Sequence, residues 1–188
     1  MFDKEIIFHK TRSIDGLIKS LLGAVVISLL APISIEVSTD IPITLQSMVI
    51  LLWAVLWGFR IGTTATLLYI LAGIVGLPVF PGYSSGFERI ASEYGGFYFG
   101  FLAAAAIVGY LAEKTTRKKF LYNLALWLGG HMIILIPGFA WVWSLLGIPA
   151  PWHTDITPLL PGLMIKSALG VLVCHFVGLI HDRRAAMS

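Results

Sequence analysis

The sequence predicts an all-α, polytopic membrane protein of six transmembrane helices, and three observations carry that prediction. Of its 188 residues 57% are hydrophobic and only 12% charged, with a mean hydropathy of +0.88. Soluble domains carry about a quarter charged residues. Long apolar runs cover residues 17–35, 45–57, 97–111, 121–146 and 159–180, and helices that are apolar all round belong in a bilayer. The basic residues sort into two layers. Of 13 Lys and Arg, 11 fall at ends or junctions that would share one side of a membrane: Lys4, Lys10, Arg12, Lys19, Arg60, Lys114, Arg117, Lys118, Lys119, Arg183 and Arg184. Only Arg89 and Lys166 fall elsewhere.

Each expected helix has a start and a stop. The first runs from about Ile14 to Ile35. Residues 1–13 carry charges of both signs, and Pro32 follows the apolar run where a cleavage site would need small residues, so this run is expected to be a span and not a cleaved signal. The second, Thr44 to Trp57, meets the third, Ile61 to Val75, at Gly58-Phe59-Arg60. Both are short for a hydrocarbon core of about 30 Å. Residues 76–93 hold three Gly and two Pro, which suits an irregular loop. The fourth helix, Tyr94 to Glu113, stops at a basic cluster. The fifth runs from Phe120 to about Leu146, and a proline-rich stretch leads into the sixth, Leu159 to His181.

Six spans with a cytoplasmic N-terminus place all 11 flanking basic residues inside, as the positive-inside rule requires, and the C-terminus inside too. The outer loops are then 36–44, 76–94 and 144–158, around one domain covering 1–188. A five-span count would split the basic cluster at 114–119 from Arg183 and Arg184. The net charge of +3 therefore reflects topology and does not call for nucleic acid. The single cysteine, Cys174, lies in the last apolar run and reads as a small hydrophobe.

Small residues recur every fourth position at Ser20, Ala24 and Ser28, at Gly96, Gly100 and Ala104, and at Gly170, Cys174 and Gly178. Such ladders let helices approach closely, either within the bundle or against a partner membrane protein.

Polar residues in apolar surroundings mark the candidate site. Lys166 lies about one and a half turns into the sixth helix, with no acidic residue three or four positions away. Its ammonium either snorkels to the outer surface or faces a cavity, water or an anionic ligand. Arg89 sits in the long outer loop, where Glu88 and Glu93 could neutralise it. The same loop offers turn residues, hydroxyls including Ser85, and the aromatic surfaces of Phe80 and Tyr83. Gly95 and Gly96 let the fourth helix begin close against that loop. Thr44 reads as the N-cap of the second helix, and the Gln46 amide enters an apolar helix where it needs partners. Trp141 and Trp143 suit the outer interface, or a wall against a ligand.

No GxxxxGK[ST], HExxH, CxxC or Gly-x-Ser-x-Gly motif is present, so nucleotide hydrolysis, familiar hydrolase chemistry and metal chemistry are not signalled. No catalytic residue, metal or cofactor is expected, and any concentrative step needs another protein or gradient.

The stretches Ile41-Pro42-Ile43-Thr44-Leu45-Gln46, Gly73 to Gly82, and Gly95-Gly96-Phe97-Tyr98-Phe99-Gly100-Phe101, with Gly138, Trp141 and Leu160 to Lys166 in weaker support, resemble the BioY family. That family is the biotin-specific membrane component (S component) of energy-coupling factor (ECF) transporters. The resemblance spans about residues 17–182. It implies six helices and a biotin pocket near the outer face, closed by the loops before helices two, four and six. It also implies that the first helix's ladder, Ser20, Ala24 and Ser28, docks onto an ECF transmembrane coupling protein driven by cytoplasmic ATPases. Under it, Lys166 or Arg89 would neutralise the valerate carboxylate, Phe80, Tyr83 and Trp141 would pack the fused rings, and Gln46 or backbone groups would reach the ureido group. Two positions depart from the family pattern. Leu163 stands where members have an aspartate, and Ser92-Glu93-Tyr94 replaces a Gly-Pro-Thr, with Tyr94 offering a hydroxyl in place of the threonine. The alternatives are an S component for another vitamin such as thiamine, or a membrane scaffold without a small ligand.

Overall fold

The computed structural model describes residues 13–35, 43–114, 120–146 and 159–187. The basic residues Lys4, Lys10, Arg12, Arg117, Lys118 and Lys119, which entered the expected sidedness, and most of the expected outer loops 36–44 and 144–158 lie outside the described residues.

The fold is all-α. Its long helices are α1 (Ser13–Leu30), α2 (Gln46–Ile74), α4 (Gly95–Lys114), α5 (Phe120–Leu146) and α6 (Leu159–Met187), and a short α3 (Phe87–Ala91) lies within the long loop. Among the described residues, four helical segments suffice by length and composition to cross a membrane: Gln46–Ile74, Gly95–Lys114, Phe120–Leu145 and Leu159–Val177. A two-stranded antiparallel clasp joins β1 (Ser34–Ile35) to β2 (Ile43–Thr44), with Ser34 opposite Thr44.

α2 does not run straight. Gly58 adopts φ 81° and ψ −173° inside it, a region essentially confined to glycine. Gln46 Nε2 donates to the Tyr69 hydroxyl at 2.7 Å, although 23 residues of continuous helix would separate them by roughly 34 Å. The chain therefore doubles back at Gly58, where the Gly-Phe-Arg turn was expected. Its two halves pack against each other, with Gly62 seated directly on Ala54. The freed amide of Phe59 donates to Glu113 Oε1 at 2.8 Å, which ties the bend to the end of α4.

The small-residue ladders resolve as internal packing. Gly96 and Gly100 let α4 approach the α5 backbone at Pro137 and Ile134, and Ala104 and Ala105 are wholly buried. Gly170 accepts the ring of Trp127, and Cys174 is buried. The ladder of α1 behaves the same way, which corrects the expected partner surface. Ser20 and Ala24 are 3% and 9% exposed and Ser28 is half-buried, because this side of α1 faces α2. Trp53 fills the neighbouring space over Gly23 and donates to the Lys19 carbonyl at 3.1 Å. The outward side of α1 carries Leu17, Leu21, Val25 and Leu29 instead.

The helix cap expected of Thr44 is not formed, because the clasp with Ser34 holds it in β2; Leu45 occupies the cap position with no side-chain hydrogen bond. The loop after α2 is more ordered than its composition suggested. It contains a 3₁₀ turn at Pro81–Tyr83 and α3, and it is pinned by Gly86 N donating to Gly73 O at 2.8 Å and Gly82 N donating to Pro32 O at 3.3 Å.

Two stability measurements check this account. Gly58→Ala forces a side chain into a glycine-only conformation and against Glu113, so it should cost about 1–3 kcal/mol and lower the thermal midpoint of the detergent-solubilised protein. Tyr69→Phe strands the buried Gln46 amide and should cost roughly 1–3 kcal/mol. Adding Gln46→Leu should then recover part of that loss; a strictly additive double variant would show that the pair is not coupled.

Candidate functional site

At the end of the bundle opposite Gly58, the start of α2, the N-terminal half of α4, the middle of α5 and the beginning of α6 converge. Helix α6 places Lys166 beside α2, where its Nζ donates to Ser47 Oγ at 2.9 Å and the Thr44 carbonyl at 3.4 Å. Lys166 is half-buried. Of the two readings open from sequence, snorkelling away from the bundle is therefore the wrong one.

Lys166 stands in the wall of a cavity of about 80 Å³ with Thr44, Ser47, Phe97, Phe101, His131 and Leu163 among the other lining residues. A second cavity of about 70 Å³ adjoins it, lined by Gln46, Arg89, Tyr94 and Tyr98 and sharing Thr44, Phe97 and Phe101 with the first. The two are compartments of one cleft. Phe97 and Phe101 are one helical turn apart on α4, so both rings face the same side and form the partition.

α3 carries Arg89 into the second compartment. Its guanidinium lies over the Tyr94 ring, 3.8 Å from the centroid, and beside the Tyr98 hydroxyl. Its Nε is buried without a hydrogen-bond partner. Glu88 and Glu93 are both exposed and neither pairs with it: among the described residues the ion pair present is Lys19 with Asp15. The expected neutralisation is absent, and among the described residues the cleft holds Arg89 in one compartment and Lys166 in the other with no carboxylate in the lining of either.

Five residues singled out from sequence thus meet in the cleft: Thr44, Gln46, Arg89, Tyr94 and Lys166. Others serve it from behind or not at all. Phe80 is fully buried, edge-on to Tyr69 at 5.7 Å and tilted against Tyr98 at 4.7 Å, so it supports the wall without lining it. Trp141 lies over Gly95 and Gly96 and donates to the Ser92 carbonyl at 3.0 Å. The two glycines admit Trp141 and the α5 backbone, and Trp141 locks the loop to α5. Tyr83 is 69% exposed and lines neither cavity, which corrects its expected place against a ligand ring; Ser85 is half-buried and also outside both. Ser47, Tyr98, Phe97, Phe101 and His131 were not singled out. Ser47 and Tyr98 each adjoin or sit one turn from a residue that was, and only their helical phase could have revealed them.

The comparisons with known proteins agree with this architecture. A model of the BioY family matches residues 4–182. The biotin transporter BioY of Thermotoga maritima is 37% identical over 148 residues, 79% of this chain and 66% of that protein. Biotin transporter BioY2 of Lactococcus lactis subsp. cremoris is 32% identical over 124 residues, 64% of this chain and 65% of its own length. The chain thus spans slightly under two thirds of these two relatives. The biotin transporter BioY of Rhizobium etli is 28% identical over 85% of this chain and 90% of its own. A crystal structure of the S-component for biotin from an ECF-type ABC transporter superposes with a TM-score of 0.79 at 23% identity, covering 93% of this chain and 95% of that one, so the fold is shared. With a family model covering nearly its whole length, this chain belongs to the BioY family.

Proposed function

We propose that this protein is a biotin-binding membrane subunit for biotin uptake, energised by a separate ECF coupling protein and cytoplasmic ATPases. The observation that carries the reading is the divided cleft with Arg89 in one compartment and Lys166 in the other. Biotin has a matching division: a polar ureido ring at one end, an apolar body, and a carboxylate at the other. The aromatic partition suits the apolar body. Arg89 is the better partner for the carboxylate, because its guanidinium has an unused donor and offers the fork geometry that carboxylates favour. Lys166, already engaged with Ser47 and Thr44, then faces the ring end. The relatives named biotin transporters support the choice of vitamin. A scaffold protein would have no reason to keep two basic groups in an enclosed cleft.

Six crossings follow if α1 and each half of the doubled α2 count with α4, α5 and α6. The placement of the described basic residues supports a sidedness. Lys19 lies over Trp57 at 4.6 Å, Arg60 adjoins the Gly58 bend, and Lys114 follows the Glu113 that binds that bend. These basic residues gather at the end opposite the cleft. That end is assigned to the cytoplasm with both termini, and the cleft to the outer face of the cell membrane.

Equilibrium binding of labelled biotin and of biotin amide, in which the carboxylate is neutral, tests the reading. Arg89→Ala should weaken biotin about 10- to 100-fold, the worth of a charge-assisted bond, and change biotin amide little. Lys166→Ala should weaken both ligands. No loss in either variant would sink the charge assignment, and tighter binding of thiamine than of biotin by the wild type would replace the vitamin. Reconstituted alone in liposomes, the subunit should not accumulate biotin above the external concentration.

A further inference from the structure

His131 lines the Lys166 compartment and is 3% exposed. Its Nδ1 lies 2.9 Å from the Trp127 carbonyl oxygen and 3.2 Å from Ser167 Oγ. A carbonyl oxygen only accepts, so the contact with Trp127 requires the ring proton on Nδ1. In the neutral ring Nε2 is then a bare acceptor. Nε2 is at the outer tip of the ring, is buried, and has no hydrogen-bond partner. Buried acceptors are nearly always satisfied in native proteins, and leaving one unmet is costly. The same compartment also presents a donor, the Lys166 ammonium, one residue from the Ser167 that contacts the His131 ring. The position that would bring a carboxylate here in the family pattern holds Leu163, which is buried in the same wall and offers no acceptor.

We propose that His131 Nε2 is a ligand-recognising acceptor in this protein, receiving an N–H of the ligand's cyclic urea while Lys166 donates toward its carbonyl. The proposal rests on the biotin reading above and deepens it. A cyclic urea carries N–H and C=O on one edge, so a donor and an acceptor in the lining of one small compartment read both at once. A neutral acceptor also meets an N–H without adding a second charge beside Lys166. Selectivity follows from the same geometry: a ligand with no N–H to give would leave Nε2 buried and unpaired.

Binding to the detergent-purified, full-length protein separates the outcomes. The probes are biotin and its two mono-N-methylated ureido derivatives, and the variants are His131→Phe, which keeps a ring of similar size without an acceptor, and His131→Gln, whose amide oxygen restores one. The wild type should prefer biotin over one of the N-methyl derivatives. His131→Phe should weaken biotin about tenfold and leave that derivative nearly unchanged, so that the preference collapses, and His131→Gln should regain part of it. Thermal midpoints confirm that each variant is folded, and the wild-type preference needs no variant at all. Equal weakening of all three ligands by His131→Phe would make His131 a packing residue, with Nε2 met internally through the similarly unpartnered Trp127 Nε1, and would overturn the proposal. So would an unchanged affinity. If the wild type itself fails to bind biotin, the vitamin reading falls first and this assignment with it.

Discussion

The satisfaction of one ammonium group organises the functional end of this molecule. Lys166 enters an apolar helix with no acidic partner in the same helix, and a charge left bare there would cost several kcal/mol. Its ammonium instead uses the Thr44 carbonyl of β2 and the Ser47 hydroxyl at the start of α2, 122 and 119 residues earlier in the chain. α6 needs that tie. It packs less extensively than the other helices, mainly on α5 and only lightly on α2, and its span is the least buried of the four. The bond fixes which face of α6 looks inward, which brings Leu163 and Ser167 with it and closes the cavity over His131. A neutral substitute would remove the charge from the Lys166 compartment and the constraint that shapes it together.

Much of the architecture was legible because bilayer physics writes it plainly. Apolar runs mark helices, and Gly58 at the junction of two short ones marked the bend. Lys166, Arg89 and Gln46 stood out because each is a polar group that hydrocarbon cannot satisfy. What remained hidden depends on orientation. Phe80, Tyr83 and Trp141 are all aromatic residues near the outer loops, yet one supports the wall, one is exposed and one latches the loop. Composition cannot distinguish those roles, since they depend on the 3₁₀ turn and on Trp141 reaching back 49 residues to Ser92. Thr44 was misread as a cap because the strand pairing with Ser34 is a contact between two segments. The ladder on α1 was ambiguous for a similar reason: small residues permit close approach by whichever helix arrives, and here α2 arrived. His131 carried no motif, and its meaning came only from the carbonyl that fixes its tautomer.

The cleft combines a stiff side with an adjustable one. Glycines at 96 and 100 bring α4 into backbone contact with α5, so Phe97 and Phe101 project from a platform with little freedom to shift. Arg89 is carried differently. Its helix has five residues, and the surrounding loop is held by a few hydrogen bonds: Gly86 to Gly73, Gly82 to Pro32 and Trp141 to Ser92. Segments with few such ties open at low free-energy cost, whereas packed cores do not. The loop is anchored at its start by the fully buried Phe80, so the adjustable part is the short helix that carries Arg89.

Size makes that division necessary. Compartments of about 80 and 70 Å³ fall well below the few hundred Å³ usual for small-molecule sites, so the ligand proposed above would have to join them to bind. The partition consists of Thr44, Phe97 and Phe101. The two phenylalanines are fixed by α4, which leaves Thr44, in a two-residue strand, and the Arg89 loop as the parts able to move. Thr44 also supplies the carbonyl that Lys166 uses. Displacing it therefore takes a partner from the ammonium, and a ligand that merges the compartments must offer Lys166 an acceptor in exchange. An apolar molecule of the right shape could fill the space but could not make that exchange. The restraint that positions α6 thereby selects for a polar group at one end of whatever enters.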